Sequence, residues 1–389
     1  MRSIKMSRLT IATIAVFIAL FKPDGFPISV KSIIQIGMLI VALLCFLSRK
    51  KNKCDNVILF IIIPICFSSI IAYFNKIITI HNLINCFFYM ICLWVTCQIL
   101  INWVREGKYF YLIVVLQRLL SVYCLLSLIS VFLVGVSDSS TTTYLFGGKF
   151  ITSYYFLLFL GLTYARYQEK VDRKGRYKLL FGLLSFLVFL FEMYLQCTTG
   201  YIIIAVFYLL VVLPKNIRPV MTRRITVLAA IIASGIVPIF INAILSITAV
   251  QNIIVNILGK SANLTSRLPI YTIYLFPLIE DRMWFGYGYA SSIMHLRTGV
   301  YWNAQNGLFD ILLNYGFLGV AGFLTACYKV SGEKIMQRYA WPFYAVLYSL
   351  VLASTIEISY DMIFFFVLSM IFAIRYWPIK KEECSVKTE

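Results

Sequence analysis

Charged residues are scarce in this sequence: they make up only 13% of its 389 residues, whereas 61% are hydrophobic and the mean hydropathy is +0.87. This balance excludes an ordinary soluble domain, in which about a quarter of the residues are charged. Internal repeats and low-complexity segments are also lacking. The long runs of Leu, Ile and Phe fit helices that cross a bilayer, not the short alternating strands of a membrane barrel. The sequence therefore predicts an all-α, polytopic membrane protein.

About twelve apolar runs are long enough to be transmembrane helices. They cover residues 7–22, 28–47, 56–74, 82–101, 111–134, 150–166, 178–196, 200–214, 225–245, 306–326, 340–357 and 360–377. The first follows "MRSIKMSR" as a secretory signal would, but "FKPDGFP" offers no small-residue cleavage site, so we interpret it as a transmembrane helix. Four regions result: helices 1–9 in residues 1–245, a large extracytoplasmic loop with interfacial helices in 246–305, helices 10–12 in 306–377, and a cytoplasmic tail in 378–389.

The net charge of +19 is distributed unevenly between the two sides of the predicted bundle. With the N-terminus in the cytoplasm, about 26 of the 35 Lys and Arg residues lie in the tails and loops of the cytoplasmic side, and about 8 lie on the opposite side. The positive-inside rule then sets the orientation. A nucleic-acid partner is not needed to explain the basic charge, and none is expected.

Residue patterns that hold metals or disulfides are missing. The two histidines are not paired, and the ten cysteines form no CxxC motif. Only Cys197 approaches the predicted outer face, where a lone cysteine cannot form an intramolecular disulfide. We therefore expect no metal and no other cofactor.

The predicted outer loop, residues 246–305, is the longest connection, and long loops tend to carry function. Two of its segments, "SITAVQNIIVNILG" and "LPIYTIYLFPLI", are apolar enough to lie on the membrane surface. Polar residues lie between and after them: Arg267, Glu280, Asp281, Arg282, His295 and Arg297. The loop therefore predicts a polar cluster held against the outer leaflet.

The stretch "YWNAQNGLFDILLNYGFLGVAGFL" begins the tenth predicted helix with an unusual density of amides. Asn303, Gln305 and Asn306 precede the helix, and Asp310 and Asn314 follow Asn306 by one and two helical turns. Polar groups at a membrane boundary are costly unless they meet polar partners. A helix start also favours anions, and either Asn303 or Asn306 fits as its N-cap. Capping and packing explain part of the cluster; the rest favours a functional site.

The segment "SRLPIYTIYLFPLIEDRMWFGYGYASS", followed by "NAQNGLFDILLNYGFLGVAGF", resembles the shared C-terminal segment of bacterial O-antigen ligases and Wzy-type polysaccharide polymerases. The resemblance covers roughly sixty residues, through the "WFGYGY" turn and the "QNGLFDILLNYGFLG" element. Gln305 stands where the ligases usually have a histidine, and a glutamine cannot act as a general base. The resemblance therefore favours a polymerase over a ligase.

The resemblance implies a membrane glycosyltransferase that moves a growing glycan from undecaprenyl diphosphate to a sugar hydroxyl of another lipid-linked repeat unit. It places the protein in the bacterial cytoplasmic (inner) membrane, with the active site on the extracytoplasmic side and a chain-length regulator as a possible partner. Two alternatives stay open. One is an O-antigen ligase that transfers polymer to lipid A core, and the other is a flippase for lipid-linked oligosaccharides. A transporter would place its polar groups near the middle of the membrane instead of at the outer edge.

The departing diphosphate requires cationic partners, because no acidic metal-binding motif is visible. Arg267, Arg282 and Arg297 are the outer arginines, and guanidinium groups match phosphate oxygens in bidentate fashion. The acceptor hydroxyl requires a proton acceptor or accurate alignment, for which His295 and Asp310 are the candidates.

The remaining candidates would bind or orient sugars. Gln305, included in the catalytic set, and Asn306 would orient sugar hydroxyls, with Asn303 and Tyr287 as further substrate contacts. Lys149, in "TYLFGGKFITSYYF", begins the sixth predicted helix on the outer face. An interfacial lysine that reaches towards water is the alternative explanation for Lys149.

Overall fold

The computed structural model describes residues 7–47, 55–136, 142–237, 239–240, 247–248, 252, 270–332 and 337–377. Within these residues the regular structure is helical, and the remaining pairing is an isolated bridge between Tyr144 and Gly147. The predicted all-α class is confirmed for this part of the chain.

The helices follow one another along the chain with short connections in most places. They are α1 (Arg8–Leu20), α2 (Ile28–Leu47), α3 (Leu59–Phe74), α4 (Ile80–Arg105), α5 (Tyr109–Val134), α6 (Lys149–Arg173), α7 (Gly175–Tyr194), α8 (Thr198–Val212), α9 (Arg218–Met221), α10 (Arg224–Ile236), a π-helical segment (Ile270–Leu275), α11 (Phe276–Asp281), α12 (Ile293–Thr298), α13 (Gly307–Val330), α14 (Gln337–Ala353) and α15 (Met362–Ile374).

Each predicted span coincides with a helix of at least 13 residues, from α1 to α8 and in α10, α13, α14 and α15. Among the described residues, five helices are long and apolar enough to cross a membrane by length and composition. They are α2, α4, α5, α7 and α13. Helices α1, α3, α8, α10 and α15 are also apolar but shorter. The count of twelve spans and the division into four regions remain predictions.

Short polar side chains begin several of these helices. The side chains of Ser7, Thr79 and Asp361 each accept a backbone N–H bond from the first turn of α1, α4 and α15, respectively. Such bonds satisfy N–H groups that a helix start leaves without an intrahelical partner. Local sequence therefore fixes where these helices start.

The last three long helices pack in the interior of the bundle. α13 lies against α3 and α10, α14 against α6 and α8, and α15 against α4. Trp103 and Trp341 are among the largest fully buried side chains. On the outer helices, by contrast, Ile33 and Leu187 are exposed at 72% and 62%. Apolar side chains on the outside and a packed interior agree with a membrane protein.

Helix α13 is broken at Gly316, although the sequence pattern predicts a continuous helix over 306–326. Gly316 has φ 63° and ψ −165°, a conformation that is essentially restricted to glycine. The break frees backbone groups on both sides of it, and loop 283–288 bonds to them. The N–H groups of Phe317 and Leu318 donate to the carbonyls of Met283 and Trp284, at 2.8 and 3.3 Å.

The opposite bonds complete this junction between loop 283–288 and α13. The N–H groups of Tyr287 and Gly288 donate to the carbonyls of Leu313 and Asn314, at 3.0 and 2.7 Å. Because of the close approach, a Cβ atom on Gly286 would lie 2.5 Å from the Leu313 carbonyl oxygen. The "WFGYGY" turn thus forms backbone hydrogen bonds to α13 on both sides of Gly316, the glycine of "LLNYGFLG".

Helix α3 holds the same junction from the other side. Ser68 donates to the carbonyls of Phe285 and Asn314, and Ser69 accepts a bond from the Tyr289 N–H at 3.1 Å. Adjacent serines in an apolar helix therefore satisfy loop groups that would otherwise be unpaired in a membrane protein.

Parts of the predicted outer loop fall outside the described residues. These include Arg267 and most of the first predicted interfacial segment. The second segment, "LPIYTIYLFPLI", forms the π-helical segment Ile270–Leu275 and begins α11. Its position on a membrane surface remains a prediction.

Candidate functional site

A cavity of about 340 Å³ lies beside the first half of α13. Its walls come from α3, α4, the segments before and after α12, α13, the connection between α14 and α15, and the start of α15. The polar and aromatic residues that line it are Tyr289, Ser291, Trp302, Asn303, Asp310, Asn314, Tyr315, Tyr360 and Asp361. The amide-rich start of α13 therefore borders a partly open cavity, in agreement with a functional interpretation of that stretch.

Asn306 is the N-cap of α13, one of the two residues predicted for this position. Its Oδ1 accepts a bond from the Phe309 N–H at 3.0 Å, and its Nδ2 donates to the carbonyls of Ser234 and Thr355 at 2.8 and 3.3 Å. The residue is 0% exposed. Its side chain thus joins α13 to α10 and to the end of α14. Its predicted contact with substrate remains a prediction, and these bonds would compete with it.

Asp310 faces the cavity from the first turn of α13. Its Oδ2 accepts a bond from Asn314 Nδ2 at 3.0 Å, and its Oδ1 accepts one from the Ala304 N–H at 3.3 Å. Asn314 Oδ1 in turn accepts a bond from the Ser291 hydroxyl at 2.9 Å. These contacts fix the carboxylate while leaving further lone pairs for a ligand, because an ionised carboxylate has about four acceptor positions.

Asn303 and Gln305 form a compact turn before the helix. The Asn303 Oδ1 accepts bonds from both the backbone N–H and the side-chain Nε2 of Gln305, each at 2.9 Å. Gln305 has a positive φ of 52°, and its carbonyl accepts a bond from the Tyr271 hydroxyl at 3.1 Å. Asn303 lines the cavity and Gln305 does not. Gln305 therefore orients Asn303 within this structure.

The connection between α14 and α15 supplies a second carboxylate to the cavity. Asp361 lines it and also caps α15, with its Oδ1 accepting from the N–H groups of Ile363 and Phe364 at 2.9 and 3.4 Å. The Tyr360 hydroxyl lies 2.8 Å from the Ser234 hydroxyl. The cavity thus has a carboxylate on each of two opposing elements.

His295 does not line the cavity, but it supports a residue that does. Its ring stacks on Trp302, with centroids 3.7 Å apart and planes 5° apart. Its Nδ1 is buried and has no hydrogen-bond partner among the described residues. Trp302 is 63% exposed. The pair forms a flat platform at the edge of the cavity.

Arg282 and Arg297 gather around Tyr287 outside the cavity. The Arg282 guanidinium lies 5.6 Å from the centre of the Tyr287 ring and 3.7 Å from Asp281 Oδ2. The Tyr287 hydroxyl donates to the same carboxylate oxygen at 2.9 Å. Burial raises the pKa of Tyr287 above its usual value, and the nearby positive charges of Arg282 and Arg297 oppose that rise. Two of the three predicted arginines thus share one location, and Arg267 lies outside the described residues.

Lys149 is the first residue of α6, where the sequence placed the start of the sixth span, but it is not part of the cavity lining. It lies near the turn between α7 and α8, where its charge acts on Cys197. In that turn Glu192 is 0% exposed, and its Oε2 accepts a bond from Ser153 at 2.5 Å. The predicted sugar contact of Lys149 remains a prediction.

The structure thus brings Asp310 and Asn303 to the cavity, with Gln305, Asn306 and His295 directly behind its wall. Arg282, Arg297 and Tyr287 form a separate group that does not line the cavity. The residues that sequence reasoning missed are Ser291, Tyr315 and Tyr360. No sequence signal marks these three, because their place depends on how distant segments pack. Within the described ranges, no group of three or more His, Cys, Asp or Glu side chains has a geometry suited to a metal ion.

Comparison with known proteins gives one match to a family model, over part of the chain. Residues 180–324 match the family model described as O-antigen ligase. This region includes α7, α8, α10, loop 283–288 and most of α13. Neither a curated protein nor a solved structure matches the chain. Over residues 180–324, which are less than half of the chain, the protein is therefore similar to the O-antigen ligase family.

Proposed function

We propose that the protein is a polysaccharide polymerase that extends O-antigen or a similar glycan. It transfers the growing chain from undecaprenyl diphosphate to a sugar hydroxyl of a second lipid-linked repeat unit. The observation that carries this proposal is the position of Asp310 in a cavity walled by amides and tyrosines. The family match supports transfer of O-antigen by a membrane glycosyltransferase-like enzyme, and it supports ligase and polymerase equally.

Asp310 is the group we assign to the acceptor hydroxyl. In the transfer, the acceptor oxygen forms a bond to the anomeric carbon, the bond from that carbon to the phosphate oxygen breaks, and its electron pair leaves with the diphosphate. The hydroxyl proton passes to the Asp310 carboxylate. Asn314 and Ala304 hold that carboxylate in place, and such positioning of a base contributes about 10²- to 10⁴-fold to rate.

Arg282 and Arg297 are assigned to the diphosphate. Both lie near Tyr287, which is joined through its backbone to Leu313, one residue before Asn314 in α13. Guanidinium groups close to a departing diphosphate stabilise the negative charge that develops on it. Arg267 keeps the same assignment from sequence alone.

The sugars are assigned to the platform and the amide turn. Trp302 presents a ring that His295 supports from behind, and ring faces of this kind suit the apolar face of a sugar. Asn303, oriented by Gln305, provides an amide at the cavity wall. His295 acts in this proposal as a support for Trp302, and Asp310 is the proton acceptor.

An O-antigen ligase is the second candidate, and the family match supports it as well as it supports a polymerase. The two activities share the donor and the departing diphosphate and differ in the acceptor. Gln305, in place of the histidine usual in ligases, is the feature on which we prefer the polymerase. The inner-membrane location, the outward-facing site and a chain-length regulator belong to the proposal with either activity.

The test is a glycan gel from bacteria that lack this gene, complemented with the wild-type chain or with variants at matched expression. If the protein is a polymerase, the null strain shows single-repeat glycan and the wild-type gene restores a ladder. Long polymer that accumulates on the lipid carrier in the null strain identifies a ligase instead. Repeat units trapped on the cytoplasmic side identify a flippase and contradict both transferase assignments.

A further inference from the structure

A basic pocket of about 260 Å³ lies at the predicted cytoplasmic end of the bundle, away from the cavity. Arg173, Lys215, Arg218 and Arg338 line it together with the carboxylate of Asp172. These residues come from the end of α6, the connection after α8, the start of α9 and the start of α14. Four neighbouring elements thus bring positively charged side chains to one concavity.

Arg218 is the fixed member of this basic pocket. Its side chain is 12% exposed, and it donates to the carbonyls of Val211 and Leu213 at 3.0 and 3.3 Å. It also pairs with Asp172 at 3.4 Å, and Asp172 accepts a further bond from the Tyr164 hydroxyl at 2.9 Å. The carboxylate that lines the pocket is therefore already neutralised within the protein.

The other basic side chains remain available to a ligand. Arg173 and Lys215 are exposed and, within the part of the chain that the structure describes, have no ion-pair partner. Arg338 pairs with Glu169 at 2.9 Å, but both side chains are about half exposed, at 44% and 55%. Exposed pairs of this kind contribute about 0–1 kcal/mol, so Arg338 can exchange partners at little cost. The pocket therefore suits an anion with several oxygen atoms, such as a phosphate.

An apolar groove of about 450 Å³ begins beside this pocket, between α6 and α7. Tyr167, Phe181 and Leu184 line it, and Lys170 marks its polar end. Lys170 is three residues, or about one helical turn, before Arg173 on α6. The basic pocket and the apolar groove are thus neighbours along one helix, as the headgroup and acyl chain of a phospholipid are neighbours along the bilayer normal.

We infer that the basic pocket binds the phosphate of an anionic phospholipid from the cytoplasmic leaflet, with an acyl chain in the groove between α6 and α7. Basic pockets between transmembrane helices on this side of a membrane suit anionic headgroups. The pocket and the cavity share no lining residue. The inference therefore does not depend on the proposed glycan transfer.

The test uses the full-length protein, purified in a neutral detergent, to which phosphatidylglycerol or phosphatidylcholine is added. Native mass spectrometry then measures how much lipid the protein retains. The variant is the triple change Arg173→Ala, Lys215→Ala, Arg338→Ala. The matched control is Arg176→Ala, Lys178→Ala, Arg223→Ala, which removes the same charge from the same side outside the pocket. We expect the wild-type protein and the control variant to retain phosphatidylglycerol. We expect the pocket variant to retain at least tenfold less phosphatidylglycerol than the wild type.

Two further measurements decide between lipid and free phosphate. Leu180, which lines the groove, is 51% exposed, so Leu180→Trp fills the groove without disturbing the core. We expect it to weaken phosphatidylglycerol retention while thermal unfolding in detergent stays unchanged. The inference is overturned if phosphatidylcholine is retained equally, if both triple variants lose lipid to the same extent, or if millimolar inorganic phosphate displaces the lipid and Leu180→Trp has no effect.

Discussion

Gly316 and Trp284 are in backbone contact, so close that a Cβ atom on Gly316 would overlap the Trp284 carbonyl carbon. The neighbouring atom is main chain, which cannot rotate away as a flexible side chain could. The contact sets loop 283–288 against the break in α13, directly beside Asn314 and one turn from Asp310. The position of the cavity wall therefore depends on a residue that has no side chain.

The substitution Gly316→Ala is expected to lower the free energy of unfolding by well over roughly 1–3 kcal/mol. Backbone strain alone accounts for that amount, and the clash with Trp284 adds to it. Gly299→Ala is the matched control: Gly299 also has a positive φ, 70°, but a Cβ atom there would meet no atom within 4 Å. It is expected to cost about 1 kcal/mol. Thermal unfolding in detergent measures both. Equal losses of stability would show that the contact with Trp284 is unimportant.

Asp310→Asn is expected to lower the transfer rate by about 10²- to 10⁴-fold while unfolding stays close to wild type. The amide keeps the size of the carboxylate and one acceptor oxygen, so the contacts with Asn314 and Ala304 are partly retained. Asp281→Asn removes an exposed carboxylate from the neighbouring arginine group and tests for a general effect of charge. Polymer formed per unit of protein is the readout. A normal rate in Asp310→Asn would exclude it as the base.

Trp302→Ala is expected to reduce polymer formation about fivefold, on the scale of about 1 kcal/mol for an aromatic stacking contact. Trp302→Phe is expected to recover most of that loss. Trp284→Ala is the control, because the two rings are similarly exposed, at 63% and 67%, and only Trp302 lines the cavity. Equal effects of both alanine substitutions would assign Trp302 to the interface with lipid.

The amides Asn303 and Asn306 are expected to respond differently. Asn306→Ala removes a helix cap worth about 1 kcal/mol and leaves the Ser234 and Thr355 carbonyls unpaired, at about 1–3 kcal/mol for a buried group. Asn303→Ala disturbs only the turn with Gln305, so it is expected to reduce activity with little change in stability. Unfolding temperature and polymer yield, measured on the same preparations, separate the two. A stable but inactive Asn306→Ala would instead support its role in binding sugar.

Because α7 and α8 pack closely at the turn that joins them, the effects of substitutions at Gly200 and Glu192 on stability are expected to be strongly coupled. A Cβ atom on Gly200 would overlap Glu192 Oε2. Gly200→Ala is therefore expected to destabilise the protein, and less so when Glu192→Ala has already removed the carboxylate. A double-mutant cycle on unfolding should give an interaction energy of about 0.5–3 kcal/mol, as for residues in contact. Additive effects would contradict the close approach.

Much of the helical framework is readable from the sequence because apolar runs and polar caps are local signals. Each predicted span meets a helix, and the capping role of Asn306 follows from its place before an apolar run. The break at Gly316 is not predictable in this way. Hydropathy is continuous across it, and the partner of the broken helix is loop 283–288, some thirty residues away.

In the candidate site, too, some residues could be predicted from the sequence and others could not. Asp310 and Asn303 stand out because polar residues at a membrane boundary are costly, and both line the cavity. Arg282 and Arg297 are also conspicuous in sequence, yet they surround Tyr287 instead. Tyr360 and Asp361 reach the cavity only through the packing of α15 between earlier helices, which no local pattern encodes.

The walls of the cavity come from chain positions as far apart as Ile61 and Phe365. A copy of the chain without α15 therefore lacks Met362 and Phe365 from this wall. Under the proposed function, sugar binding waits until α15 has packed against the earlier helices.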